Sequence, residues 1–180
     1  MSEKQSRIFT GILYPDATNY DFEKVITRLG DTFEELAYIT HDLDVTENGE
    51  LKKLHVHWCG KRKSPAPLST VSNALQIPPN DIEYCKSWKY CLRYLIHADN
   101  PDKVQYDVSK VVANFPFIAV VEGTLNVMKS KQIADYIYEY RPGSLKALSD
   151  WCYANRLYDT LMRNFALFNV MLREAQSIDC

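Results

Sequence analysis

An α+β fold, in which an antiparallel sheet carries flanking helices and an all-α segment follows, is predicted by three observations. Strand-like alternation and short helical patterns succeed one another in the order β-α-β-β-α-β-α along the N-terminal part of the chain. Two neighbouring strand patterns are joined by a polar loop containing Asn48-Gly49, a hairpin signal that implies antiparallel pairing. Beyond Gly123 the spacing turns helical, which sets two domains at 1–120 and 121–180.

The elements follow in order. Arg7 to Tyr14 alternates as a strand and stops at Pro15-Asp16. Asp21 can cap a helix whose apolar positions are Phe22, Val25, Ile26 and Leu29, with Gly30 as its end. Leu36 to Thr40 and Leu51 to Gly60 read as the hairpin strands, and Pro65 and Pro67 are expected to break the chain. Ser69 is a candidate cap for a helix through about Leu75, Ile82 to Cys85 is a short strand, and Ser87 precedes a helix from Trp88 that must end before Pro101. Val111 to Val121 is apolar and of undecided type. Ser130 to Tyr140 is helical, and Ser144 can cap one long helix with the stripe Leu157, Leu161, Phe165, Phe168 and Leu172. Ala166, Leu167, Val170 and Met171 widen that stripe beyond what a surface helix of a small domain buries. Self-association is therefore expected, with tight docking into a core as the other reading.

Composition excludes several classes. With 180 residues, 46% of them hydrophobic, the chain can bury one core plus a smaller appendage. The net charge is −2, and residues 1–110 carry 14 basic and 16 acidic side chains, so any nucleic-acid contact must be local rather than a bulk effect. The five cysteines, odd in number and without CxxC spacing, are expected to be reduced thiols in a cytoplasmic protein, with no disulfide framework. No apolar signal core and no uninterrupted run of about 18 apolar residues is present, so neither secretion nor a membrane span is expected.

Three groups of residues carry chemistry. Three of the four histidines lie close together, His41 in His41-Asp42-Leu43-Asp44 and the pair in Leu54-His55-Val56-His57-Trp58. Alternation puts His55 and His57 on one strand face, and the hairpin can bring His41 with Asp44 or Asp42 beside them. Imidazole with carboxylate suits Mn²⁺, Mg²⁺ or Zn²⁺. Two solvent-facing strand histidines are the plainer alternative. Cys59 continues the same face, as a core residue or as a thiolate of a zinc site that stabilises a regulatory module. Second, Tyr90 and Tyr94 stand one helical turn apart near Lys86, Lys89 and Arg93. A phenol, with its ordinary pKa of about 10, needs a nearby cation or metal to become a nucleophile, and two aromatics packing on a sheet is the alternative. Third, Lys52, Lys53, Lys61, Arg62 and Lys63 bracket the histidine pair with no acidic residue from Leu51 to Pro65. They suit a phosphate backbone, with Trp58 or Trp88 available to stack a base, or else form a solvated strand margin.

These residues resemble the HUH endonucleases, in particular the rolling-circle replication initiators of Gram-positive plasmids. Leu54-His55-Val56-His57-Trp58 is similar to the paired-histidine motif, and His41-Asp42-Leu43-Asp44 resembles that subgroup's upstream metal element. Arg93-Tyr94-Leu95-Ile96-His97 resembles the Tyr-Leu-x-His string, with Lys103-Val104-Gln105-Tyr106 similar to a downstream Lys-x-x-Tyr. The resemblance covers about residues 5–110. It implies a divalent ion, Mn²⁺ or Mg²⁺, held by His41, Asp44, His55 and His57 with Asp42 in reserve. It also implies attack of Tyr94 on a phosphodiester of single-stranded or hairpin origin DNA, giving a 5′-phosphotyrosyl enzyme and a 3′-OH primer for a host polymerase and helicase. Tyr90-Cys91-Leu92-Arg93 resembles the tyrosine string of other subgroups and keeps Tyr90 as the second candidate. Lys52, Lys53, Lys61, Arg62, Lys63, Arg93 and Lys103 are the expected DNA contacts, and Glu34, Glu35 or Glu83 could activate a terminating water. The 121–180 segment is expected to assemble the protein into a homo-oligomer. A non-catalytic DNA-binding module of the same fold is the competing reading. No GxxxxGK[ST] loop is present.

Overall fold

The structure, a computed structural model, describes residues 3–177. It divides into two compact units, Met1–Val121 and Glu122–Cys180. The first holds strands β1 (Gln5–Leu13), β2 (Glu35–His41), β3 (His55–Pro67), β4 (Ile82–Tyr84) and β5 (Val112–Ala113). Helices α1 (Phe22–Thr32), α2 (Leu68–Leu75) and α3 (Trp88–Leu95) connect them. All pairings are antiparallel and the order across the sheet is β4-β1-β3-β2-β5, so β3 is central.

Strand alternation gives the sheet two unlike faces. Phe9 and Leu13 of β1, Leu36 of β2, and Val56 and Trp58 of β3 turn to one side. There they meet Val25 and Leu29 of α1, Phe33, and Val71 and Leu75 of α2 in a closed apolar core. Gly60 is required at its centre, because a Cβ there would overlap the Phe33 ring. The opposite face carries Thr10, Ile12, Ile39, His41, His55, His57 and Cys59. Part of that face lies under α3, whose Cys91, Leu92 and Leu95 are buried.

Several boundaries differ from the sequence reading. Asp21 caps α1 by accepting from the Lys24 amide, but the helix passes Gly30 and ends on Phe33. Ser69 lies inside α2, where its hydroxyl donates to Glu3 instead of capping. β3 begins at His55 rather than Leu51 and runs through both prolines. Its pairing with β2 stops at Lys61, while β1 follows it to Pro67 across an irregularity between Ser6 and Ile8. The prolines therefore occupy a one-sided stretch in which a missing N–H costs no ladder bond on the open edge. The undecided stretch 111–121 splits into β5 and the start of α4 (Phe117–Tyr140), a helix much longer than the expected Ser130–Tyr140. Cys85 and Cys91, expected as free thiols, form a disulfide between the end of β4 and the first turn of α3.

In the second unit the single long helix is replaced by α5 (Leu145–Ala154), α6 (Tyr158–Arg163) and α7 (Phe165–Ser177). Asn155 and Asn164 turn their amides back onto the Trp151 and Thr160 carbonyls, and Arg156 takes a left-handed φ of 58°. The breaks fold the stripe onto itself. Leu157, Leu161, Phe168 and Leu172 are buried with Ile133, Ile137, Leu148 and Cys152, whereas Phe165, Leu167 and Val170 stay exposed. Among the described residues no helix is long and apolar enough to cross a membrane.

Candidate metal centre and tyrosine groove

All four histidines of the chain meet on the second sheet face. β2 delivers His41 at its last residue, opposite His55 of β3, while His57 lies opposite Ile39. The chain bends directly after His41, which brings Asp44 back toward the strands. Asp44 Oδ2 is 3.3 Å from His41 Nδ1 and 3.6 Å from His55 Nε2. Asp42, by contrast, is exposed and belongs to no potential ligand group among the described residues. The fourth histidine arrives from the other side of the site. Beyond α3 the chain reverses, with the His97 amide donating to the Tyr94 carbonyl and His97 itself at a φ of 57°. Its ring lies 4.6 Å from that of His41 and its Nδ1 is 3.8 Å from Asp44 Oδ1.

Hydrogen bonds fix which nitrogen each ring offers. His41 donates from Nε2 to the Leu95 carbonyl at 2.8 Å, so Nδ1 keeps its lone pair. His55 donates from Nδ1 to the Lys53 carbonyl at 2.6 Å, leaving Nε2, and His97 donates from Nδ1 to the Val104 carbonyl at 2.8 Å. His41 Nδ1 is thus a buried acceptor with no hydrogen-bond partner among the described residues, facing a carboxylate oxygen. Two lone pairs in apposition call for a cation between them. Two groups of side chains are spaced to hold one: His41 with His55 and His57, and His41 with Asp44 and His97.

The electrostatics suit a cation as well. Burial, reinforced by His41, His55 and His97, pushes the His57 pKa down to about 3, so the ring stays neutral. Burial also lowers His41. For Asp44 burial acts upward but is outweighed by His41, the Tyr106 hydroxyl, His97 and His55, and the carboxyl lies below its ordinary value. Tyr106 holds this carboxylate in place. Its ring stacks on His41 at 4.2 Å and 5°, and its hydroxyl donates to Asp44 Oδ1 at 3.0 Å while accepting from the Leu43 amide at 3.1 Å. Burial, with the Asp44 bond adding to it against the Leu43 bond, raises its pKa to about 12, so the hydroxyl remains a donor.

A groove of about 730 Å³ opens beside the cluster, lined by Thr10, Ile12, Tyr14, His57, Glu83, Tyr90 and Tyr94 among others. Ser87 caps α3 by accepting from the Tyr90 amide, and the helical repeat sets the Tyr90 and Tyr94 rings 6.0 Å apart. Tyr94 is the nearer of the two to the histidines, 5.8 Å from the His57 ring, and its hydroxyl accepts from Lys103 Nζ at 3.2 Å. The other expected cations are dispersed. Lys53 pairs with Asp16 at 2.9 Å over the Tyr14 ring, Lys61 pairs with Glu35, and Arg93 is held by both Asp99 oxygens at 2.9 Å. Arg62 reaches the Thr32 carbonyl, and Lys52 and Lys63 are exposed. Glu83 lies in the groove, Glu35 is tied to Lys61, and Glu34 is engaged through its backbone. Cys59 is fully buried, burial raises its pKa, and among the described residues it joins no ligand group, as a core residue would. Sequence reasoning had not assigned His97 or Tyr106 to the cluster, although both lie in strings it had singled out.

Residues 1–117 match the model of the plasmid replication protein origin-binding domain. The chain belongs to this family. Over 108 residues, 58% of the chain, it is 32% identical to the replication protein RepB of Lactiplantibacillus plantarum, covering 46% of that protein. Over 144 residues, 72% of the chain, it is 24% identical to a replication protein of Onion yellows phytoplasma (strain OY-M), covering 38% of it. The matched stretches therefore span less than half of these relatives. The family match takes in the whole histidine cluster and the groove residues Tyr90 and Tyr94 of this origin-binding domain.

Proposed function

We propose that this origin-binding domain binds single-stranded or hairpin origin DNA and nicks it through attack of the Tyr94 oxygen on phosphorus. The products are a 5′-phosphotyrosyl protein and a free 3′-OH, which a host polymerase extends with the help of a host helicase. The observation that carries the reading is the placement of Tyr94: in the groove, 5.8 Å from a ring of the histidine cluster, with Lys103 on its hydroxyl.

His41, Asp44, His55 and His57 would hold a divalent ion such as Mn²⁺ or Mg²⁺, with His97 beside them and exposed Asp42 outside the set. When bound, the ion supplies a Lewis acid that polarises the scissile phosphate. Tyr106 keeps Asp44 oriented, and the Leu95, Lys53 and Val104 carbonyls hold the histidine tautomers. Lys103 offsets negative charge on the Tyr94 oxygen as the phenol loses its proton, which solvent can carry to the departing 3′ oxygen. Tyr90, one turn away and on the same groove, is the alternative nucleophile. Unit 2 would associate with copies of itself through the part of its stripe left exposed, Phe165, Leu167 and Val170.

The test is incubation with labelled single-stranded origin oligonucleotide and Mn²⁺, followed by a denaturing gel. A covalent adduct lost in Tyr94→Phe but retained in Tyr90→Phe is expected. No adduct with any divalent ion would sink the nicking reading, and the reverse pattern of variants would move the nucleophile to Tyr90. Chelation should abolish the adduct while leaving the circular dichroism spectrum of the fold in place; collapse of the fold would instead mark a structural metal.

A further inference from the structure

The groove wall next to the histidines contains a side chain that neither metal binding nor tyrosine attack uses. β1 alternates Thr10, Ile12, Tyr14 along the site face, and Ile12 pairs with His57 in the ladder, so Tyr14 comes opposite His55 just beyond the last strand residue. α3 leaves this end of the face uncovered. Ile12 is 36% and Tyr14 39% exposed, and both line the groove.

Tyr14 is held in place without being buried. Its amide donates to the Tyr20 hydroxyl at 2.7 Å, and that hydroxyl donates back to the Tyr14 carbonyl at 3.4 Å, so both backbone polar groups are pinned by one side chain. Its own hydroxyl makes no hydrogen bond among the described residues. One ring neighbour is His55, at 6.0 Å between centroids and tilted by 43°. The other is Lys53 Nζ, 5.2 Å from the ring centre and 2.9 Å from Asp16. A fixed, half-exposed aromatic face beside an exchangeable cation, at the rim of the histidine cluster, matches the chemistry of one nucleotide: a flat base to stack and a phosphate to pair.

We infer that Tyr14 is the base-stacking platform of the site. It takes the base of a nucleotide adjoining the scissile phosphate, with Lys53 exchanging Asp16 for that nucleotide's backbone. The inference rests on the nucleic-acid reading above but assigns a subsite that does no chemistry. Stacking needs a ring and no hydroxyl, and it tolerates any base.

The experiment uses the full chain, Mn²⁺, and two fluorescent probes read by anisotropy: oligothymidylate and an abasic tetrahydrofuran oligomer of equal length. Tyr14→Ala should weaken oligothymidylate binding about 5- to 100-fold, the range expected for loss of one base–aromatic stack. Tyr14→Phe should bind as the wild type, and the abasic oligomer should not distinguish wild type from Tyr14→Ala. Tyr14→Trp should gain an indole signal quenched by oligothymidylate and not by the abasic probe, a readout independent of any loss of fold in the alanine variant. Equal oligothymidylate affinity in wild type and Tyr14→Ala, an equal loss on both probes, or an unquenched Tyr14→Trp would overturn the platform while leaving the nucleic-acid reading standing. A wild type that binds neither probe would overturn that reading itself, and the platform with it.

Discussion

The two faces of one sheet are built from alternate residues of the same three strands, yet they obey opposite rules. On the core face Phe9, Val56 and Trp58 meet α1 and α2, and among the described residues no titratable side chain is buried there. On the site face the same strands present His41, His55 and His57, buried beside Asp44, with α3 covering only part of the surface. The first face gains free energy from closure. The second holds lone pairs and a carboxylate in close apposition, an arrangement that becomes favourable only when a cation joins them. One face is therefore expected to set the stability of the domain and the other to hold the ion proposed above, and substitutions should separate accordingly.

The largest effect is expected on the core face. Phe33 packs on Gly60, Trp58 and Phe9, and Phe33→Ala should lower unfolding free energy by about 3–5 kcal/mol in urea titrations of the metal-free protein. A loss below about 1 kcal/mol would show that the core face is not what holds the domain together. Next comes Asp44→Asn, which keeps the shape of the side chain and removes its charge. Mn²⁺ affinity measured by calorimetry should fall at least ~100-fold, with the urea midpoint in chelator nearly unchanged. A protein that unfolds on this change, or binds Mn²⁺ as before, would erase the division between the faces.

Acidification should reach the site face first. The folded-state pKa of His57 is depressed, so the unfolded chain binds protons that the fold resists. The associated stability is complete above the unfolded value of about 6.5 and is lost as pH falls from there toward about 3. Between pH 7 and pH 5 the metal-free protein should lose on the order of 2 kcal/mol, and His57→Gln should flatten that slope. A flat stability profile in the wild type would mean the ring is not held neutral. The smallest effect concerns Arg93, whose guanidinium is already committed to Asp99. Arg93→Ala should cost ~1 kcal/mol of stability and leave oligonucleotide affinity within about twofold of wild type. A salt-dependent loss of affinity would return Arg93 to the DNA surface.

The first unit was far more legible in sequence than the second, for physical reasons visible in particular residues. Alternation in Leu54-His55-Val56-His57-Trp58 fixes faces, and the Asn48-Gly49 loop fixes the partner strand, so the convergence of His41, His55 and His57 could be anticipated. Asp44 and Asp42 were both open as the accompanying carboxylate, and the bend after His41 brings Asp44 to the histidines while Asp42 stays exposed. His97 enters through a left-handed residue after a helix, and Tyr106 through an irregular segment; neither has a periodic signal. In the second unit the breaks at Asn155-Arg156 and Asn164 contain neither glycine nor proline. Local propensity there favoured one continuous helix, and packing of Leu157, Leu161 and Phe168 against Ile133 and Ile137 decided otherwise.

In the stretch of β3 from Arg62 to Pro67, Ala66 and Pro67 pair with β1 beyond the irregularity, and among the described residues no strand pairs on the other side. An unguarded edge at the centre of a sheet invites a foreign strand, since its free amides and carbonyls are a template for another chain. Pro65 and Pro67 offer no amide at two of these six positions, and Arg62 and Lys63 add charge to the same margin. The prolines that a reading of local propensity takes as the end of the strand thus leave it intact and make its exposed rim a poor template for aggregation.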